Sequence, residues 1–101
     1  MPYYVVLTKL TAEGRKTLMR NPGRIWEVNR EVESMGAKIV AQYSTMGPYD
    51  YVNVFEAANN HVMLRVASEL AARGTVEPLT MAASTIEDMV KELEMANALR
   101  K

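Results

Sequence analysis

The chain has 101 residues, 49% of them hydrophobic and 24% charged, and its formal net charge at pH 7 is zero. This length is typical of a single domain with one core, so residues 1–101 are treated as one domain. A chain without excess positive charge lacks the field that holds nucleic acid, and no apolar run approaches the ~20 residues of a membrane span. We therefore expect neither nucleic acid nor a membrane as a partner.

Cysteine is absent and there is one histidine, His61. This composition excludes disulfides, thiolate metal sites, cysteine nucleophiles and any multi-histidine metal site within one chain. We predict no cofactor and no metal. The cysteine-free composition and an N-terminus unlike a signal peptide favour a cytoplasmic location. A solvated side chain is the favoured interpretation of His61, and a role as haem ligand or general base is the alternative.

Hydrophobic spacing and capping residues divide the chain into strands and helices. Short apolar runs rich in β-branched and aromatic residues indicate strands, and apolar side chains that recur every three to four positions indicate helices. Asparagine, serine and threonine mark helix starts, and glycine marks helix ends. In chain order, the prediction is a strand at 3–10, a helix at 12–19, a helix from Asn21–Pro22 to Gly36, strands at 37–45 and 51–57, a helix from Asn59 or Asn60 to Gly74, a strand at 75–83 and a helix from Ser84 to about residue 99.

This order predicts an α+β domain of the ferredoxin-like βαββαβ type with an extra C-terminal helix. Its four-stranded antiparallel sheet would carry the two long helices on one face. Pro78 predicts an edge position for the last strand, because proline has no N–H to donate to a neighbouring strand. The other face has no helix of its own in the βαββαβ core. We expect a second copy to cover it sheet to sheet, as in a dimeric α/β barrel.

The strands at 37–45 and 51–57 are predicted to form a hairpin about Gly47–Pro48. A two-residue turn there pairs Tyr43 with Val52 and Ala41 with Val54. This register separates the side chains of the hairpin into two faces. We predict that helices cover the face that carries Ile39, Ala41, Tyr43, Val52 and Val54, and that the uncovered face carries Val40, Gln42, Ser44, Met46, Tyr51, Asn53 and Phe55.

Aromatic side chains alternate with amides on the face predicted to be uncovered. Asn53 lies on a central strand and needs a hydrogen-bond partner, which a ligand, a water molecule or a facing subunit could supply. Gln42 is its partner position across the hairpin. We therefore predict a ligand-binding set made of Gln42, Tyr51, Asn53 and Phe55. Simple packing in the sheet is the alternative interpretation of the two aromatic residues.

The turn Gly47-Pro48-Tyr49-Asp50 and the strand from Tyr51 to Ala57 resemble the GYD domain family. The spacing is similar at Thr11 to Gly14, at Pro22 and Arg24, and at Gly36 to Lys38. The resemblance implies a small protein with a ferredoxin-like or dimeric α/β-barrel fold and no established activity. A looser resemblance connects the hairpin to the ligand-sensing domains of feast/famine regulators, which use it in assembly and effector binding.

Within this signature, we interpret Gly47, Tyr49 and Asp50 as architectural residues. Asp50 follows a turn, where its carboxylate can accept hydrogen bonds from backbone N–H groups of the loop or of a neighbouring subunit. Where the family often continues with Pro-Asp after the strand, this chain has Ala58-Asn59. Asparagine still caps a helix, so the substitution leaves the predicted fold unchanged.

The sequence contains no Ser-His-Asp arrangement and no glycine-rich phosphate loop. We therefore favour a non-enzymatic homo-oligomer that binds or senses a small molecule on the uncovered sheet face. One alternative is a small enzyme of the dimeric α/β-barrel type, related in fold to monooxygenases and isomerases, for which no catalytic residue is assigned. The other alternative is a purely structural oligomerisation domain.

Overall fold

The computed structural model describes residues 1–100. In chain order, its elements are β1 (Tyr3–Leu10), α1 (Ala12–Arg20), α2 (Arg24–Ser34), β2 (Lys38–Ser44), β3 (Tyr51–Glu56), α3 (Asn60–Ala72), β4 (Val76–Ala83) and α4 (Ile86–Leu99). Within these residues, the four strands form one antiparallel sheet in the order β2-β3-β1-β4. The predicted α+β fold is thus confirmed, and the four-stranded sheet with four helices is consistent with the ferredoxin-like arrangement.

Side-chain caps fix the starts of three helices, in each case by accepting a hydrogen bond from the backbone N–H three residues on. These caps are Thr11, Asn59 and Thr85. Helix α4 is therefore capped one residue later than the predicted Ser84. The predicted start of the second helix at Pro22 is wrong, because α2 begins at Arg24 and has no side-chain cap.

The hairpin has the predicted pairing but a longer loop. Tyr43 pairs with Val52 and Ala41 with Val54, as expected. The backbone N–H of Thr45 donates to the carbonyl oxygen of Asp50 at 2.8 Å, so the turn is not the predicted two-residue connection. Strand β4 lies at an edge of the sheet, as its proline predicted.

The prediction of which hairpin face lies under the helices is wrong for Ala41, Tyr43, Val52 and Val54, which lie on the opposite face. Ile39 packs against the core as predicted, because the pairing shifts by one residue between Ile39 and Ala41 and places Ile39 opposite Phe55. Asn53 and Phe55 are buried on the helix-covered face, where they pair across β1 with Val6 and Tyr4. The Tyr4 hydroxyl donates to the Asn60 side chain at 2.6 Å, which holds this face against the start of α3. The aromatic side chains of Tyr4 and Phe55 fill the space between sheet and helices. The core is formed by Tyr4, Val6, Val32, Ala37, Phe55, Ala57, Met63 and Val66.

The opposite side of the sheet, called the open face from here on, is apolar and carries none of the buried core. Its central strands contribute half-buried aliphatic side chains, and the edge strand β4 contributes two that are exposed. The members are Val5, Leu7, Val52, Val54, Leu79 and Met81. The charged side chains of this face, Lys9, Glu56 and Glu77, lie toward the ends of their strands. The centre of the open face is therefore an apolar patch of the kind that often marks an interface.

Helix α4 is amphipathic, and no residue in it is buried. Its exposed apolar side chains include Ile86, Met89, Val90 and Leu93, which recur at helical spacing along one side. The chain measures 60 × 29 × 19 Å with a radius of gyration of 16.2 Å, whereas a compact domain of this length has about 13 Å. Helix α4 therefore extends from the body of the domain. Among the described residues, no helix has the length and apolar character to cross a membrane.

Candidate functional site

A cavity of about 120 Å³ lies between the sheet and the first two helices. Its lining is mainly apolar and includes Leu18 of α1, Ile25 and Val28 of α2, and Phe55 of β3. An engineered apolar cavity of ~150 Å³ is large enough to bind benzene, so this cavity suits a molecule of similar size. Binding sites of this kind combine an apolar lining with a few polar groups that orient the ligand.

One wall of the cavity contains a pair of amides that satisfy each other. The Nδ2 of Asn29 on α2 donates to the Oε1 of Gln42 at 2.8 Å, and the Nε2 of Gln42 donates to the Oδ1 of Asn29 at 3.1 Å. These reciprocal bonds connect α2 to the strand β2. Because these bonds occupy the polar groups of Gln42, this residue acts as a structural link and forms a polar patch in the cavity wall.

Asn53 is the unusual residue of the cavity. It is 7% exposed, and its Oδ1 is buried without a hydrogen-bond partner among residues 1–100. A buried amide oxygen without a partner costs about 1–3 kcal/mol relative to a hydrogen-bonded one. A valine or leucine would fit the same strand position without that cost. The amide therefore needs a partner that residues 1–100 do not supply, such as a ligand or an ordered water molecule.

The titratable side chains in the cavity wall are Tyr51 and Arg24. Burial raises the pKa of Tyr51 above its usual value of 10.0, and the nearby Asp50 charge raises it further. Arg24 donates to the Glu27 carboxylate at 2.5 Å, and this bond raises the pKa of the guanidinium. Near pH 7, the phenol is neutral and the guanidinium is charged but paired. Neither group has the pKa near 7 that a general base requires.

The structure brings all four predicted ligand-binding residues together, but not on the open face. Gln42, Tyr51, Asn53 and Phe55 all line the cavity beneath the helices. Sequence reasoning missed Asn29, although its signal was present. Asn29 lies between inward-facing apolar positions of α2, and a polar residue at such a position needs a partner inside the protein.

The signature residues Gly47, Tyr49 and Asp50 organise the loop between β2 and β3. Gly47 has φ +137°, a backbone conformation that favours glycine. The Lys9 ammonium lies 5.4 Å from the centre of the Tyr49 ring, within range of a cation–π contact. Asp50 accepts a hydrogen bond at its Oδ2 from the backbone N–H of Leu10 at 2.7 Å, and its own N–H donates to the Thr8 carbonyl at 2.8 Å. The hairpin tip is thereby attached to the end of β1.

Replacing Asp50 by alanine is expected to lower the free energy of unfolding by about 1.5–3 kcal/mol, since the N–H of Leu10 loses a charged acceptor. Urea-induced unfolding followed by circular dichroism measures the change. Asp50→Asn keeps an acceptor oxygen and should lose less than half as much. An alanine variant as stable as the original protein would show that this bond does not hold the hairpin tip.

Other sequence candidates lie on the surface, away from the cavity. His61 is exposed on the first turn of α3. The basic side chains Lys9, Arg15, Lys16 and Arg20 are also exposed, which suits a solvated charged face. Among the described residues, no group of three or more histidine, aspartate or glutamate side chains is placed to hold a metal ion.

The chain is similar in sequence to a curated protein from the bacterium Thermus thermophilus. That relative is named "Glutamine synthetase and cystathionine beta-lyase binding protein". The two are 44% identical over 95 residues, which cover 93% of this chain and 100% of the relative. The similarity therefore spans the hairpin, the cavity-lining elements and nearly all of the remaining chain.

Two solved structures share the fold. The crystal structure of FFRP-DM1 matches with a TM-score of 0.55 and 19% identity, and covers 83% of this chain and 100% of that one. The crystal structure of TTHA0845 from Thermus thermophilus also gives a TM-score of 0.55 and 19% identity, over 83% of this chain and 94% of that one. At such low identity, the likeness concerns the fold alone.

The sequence profile of the GYD domain matches residues 4–93. This match extends from the first strand, through the Gly-Pro-Tyr-Asp turn, into the last helix. The family resemblance seen in the sequence is therefore confirmed over most of the chain. The chain belongs to the GYD domain family.

Proposed function

We propose that this protein is a self-associating, non-enzymatic binding module, and that glutamine synthetase and cystathionine beta-lyase are its partner enzymes. The 44% identity to a relative named for binding these two enzymes, over that relative's entire length, carries the proposal. The apolar surfaces support it, because a protein that acts alone rarely exposes contiguous apolar surface such as the open face and the apolar side of α4.

The apolar open face provides a driving force for self-association. Two copies placed sheet to sheet would bury Val5, Leu7, Val52 and Val54 and remove their apolar surface from water. This is the dimeric α/β-barrel assembly predicted from the sequence. A symmetric pair also presents two identical surfaces to a larger enzyme.

Purified protein should co-elute with purified glutamine synthetase, and separately with cystathionine beta-lyase, in size-exclusion chromatography at micromolar concentrations. The enzymes are taken from the same organism as the chain, and an unrelated enzyme of similar mass is the control. Co-elution of both enzymes with the protein, and separate elution of the control enzyme, supports the proposal. If both enzymes elute at their free volumes with the protein in tenfold excess, the proposal is wrong.

A small-molecule role is the second candidate function, and the buried, unpaired amide of Asn53 in the cavity wall favours it. In this second role, the module senses a metabolite while it associates with an enzyme. The site differs from the sequence prediction, since it lies beneath α1 and α2 instead of on the open face. An enzymatic role gains no support from the cavity, where the pKa directions of Tyr51 and Arg24 both lead away from neutrality.

A further inference from the structure

We infer that the cavity beneath α1 and α2 binds a small neutral molecule that has an apolar body and a hydroxyl or amide group, with Asn53 as its hydrogen-bond partner. This inference rests on the second candidate function above, and it specifies the chemical class of the ligand. It is independent of whether the protein also binds enzymes.

The size and lining of the cavity define the body of the ligand. The volume of about 120 Å³ fits a single six-membered ring or a branched aliphatic group. The side chains that would contact this body come from both helices and from the sheet, so a bound ring would be enclosed on several sides. Leu18, Ile25, Val28, Val32 and Phe55 supply this apolar surface.

The charge distribution makes the ligand neutral. The charged side chain in the lining is Arg24, and it is already paired with Glu27 at 2.5 Å and lies 3.9 Å from Glu31. A carboxylate in the cavity would compete with two existing carboxylates for this guanidinium. An ammonium ion would find no carboxylate in the wall. Moving either ion out of water into this site would cost more than these contacts return.

Asn53 defines the polar group of the ligand. Its Oδ1 has no partner within the described chain, whereas the neighbouring amides Asn29 and Gln42 satisfy each other. Rotation of an asparagine amide about its terminal bond exchanges oxygen and nitrogen, so the side chain can accept from or donate to a ligand. A hydroxyl or an amide on the ligand can both donate and accept, so it can pair with either orientation of the Asn53 amide. Thr80, the other buried side chain with an unpaired oxygen, does not line the cavity.

Phenol and toluene form a matched pair of probes, because they have the same number of non-hydrogen atoms and differ by a hydroxyl in place of a methyl group. Titration of ¹⁵N-labelled protein, followed by amide chemical shifts, measures both affinities and locates the site. We expect phenol to bind about tenfold more tightly than toluene. Shifts for both should concentrate at cavity residues such as Leu18 and Val28, and benzoate should produce none there.

Asn53→Leu removes the hydrogen-bonding group and should remove the preference for phenol over toluene. Its circular dichroism spectrum should match that of the original protein, which would show that the fold is retained. The comparison of the two probes on the original protein needs no variant, so a poorly folded variant would leave the test intact. Equal affinities for phenol and toluene would overturn the ligand class and leave a small-molecule role standing. No cavity shifts with either probe would overturn both.

Discussion

A lysine in place of Val54 is expected to convert the self-associated protein into monomers. Val54 lies at the centre of the open face, on β3 between its cross-strand neighbours Val5 and Ala41. In a sheet-to-sheet pair, an ammonium ion at this position would be taken out of water among the aliphatic side chains of the open face, which costs several kcal/mol. In the monomer, the same side chain would face solvent, so the fold should survive.

Light scattering coupled to size-exclusion chromatography measures this change as a fall in mass to that of one chain, 11.3 kDa. Leu64→Lys is the matched control, because Leu64 is 66% exposed on α3, on the other side of the molecule. The control should keep the mass of the original protein. A Val54→Lys variant that also keeps this mass would exclude the open face as the contact between copies. If the original protein is monomeric at micromolar concentration, the proposed self-association is wrong.

The order of elements could be predicted because each has a local signal. Alternating or continuous apolar runs marked the four strands, and cap residues such as Thr11 and Asn59 marked helix starts. The predicted start of α2 was wrong because Asn21 and Pro22 are residue types that also begin helices. In this chain they belong to a turn that precedes the helix, in which the N–H of Arg24 donates to the carbonyl of Asn21 at 3.1 Å. A local pattern cannot separate these two uses of the same residues.

The face of the sheet could not be predicted in the same way. Alternation along a strand tells which side chains share a face, but not which of the two faces the helices cover. The sequence of strand β1 does not distinguish the two faces, because Tyr4 and Val6 on one face and Val5 and Leu7 on the other are all apolar or aromatic. The long-range bond between Tyr4 and Asn60 helps fix the choice in the folded protein. Such a contact joins residues 56 positions apart and has no local signature.

The four candidate residues lie together despite this error, because the predicted pairing is correct from Ala41 to Ser44. Gln42 and Asn53 are cross-strand partners, and Tyr51 and Phe55 are two positions away from Asn53 on the same strand. Inverting the sheet moves such a set as one group from the open face to the helix-covered face. A slip in register by one residue would have scattered it. The group gained α1 and α2 as additional walls, which made a polar sheet surface into a cavity.

Replacing Gly14 by alanine is expected to destabilise the fold by about 2–3 kcal/mol and to lower the melting temperature by about 10–20 °C. A Cβ at this position would lie 2.0 Å from the Thr75 carbonyl oxygen and 3.2 Å from a Leu10 methyl group. Helix α1 would have to move off the chain segment before β4, to which Thr11 N–H donates at 3.0 Å. Alanine is the better helix former by about 1 kcal/mol, so a loss of stability isolates the steric effect.

Gly23→Ala is the matched control for this substitution. An added Cβ at Gly23 has the Asn21 side chain at 3.7 Å as its nearest neighbour, and the backbone φ of −71° suits any residue. Differential scanning calorimetry should show this control within a few degrees of the original protein. A Gly14→Ala variant that melts with the control would mean that α1 is free to shift. The Thr-x-x-Gly spacing would then owe its presence in this chain to something other than the close approach of α1 to Thr75.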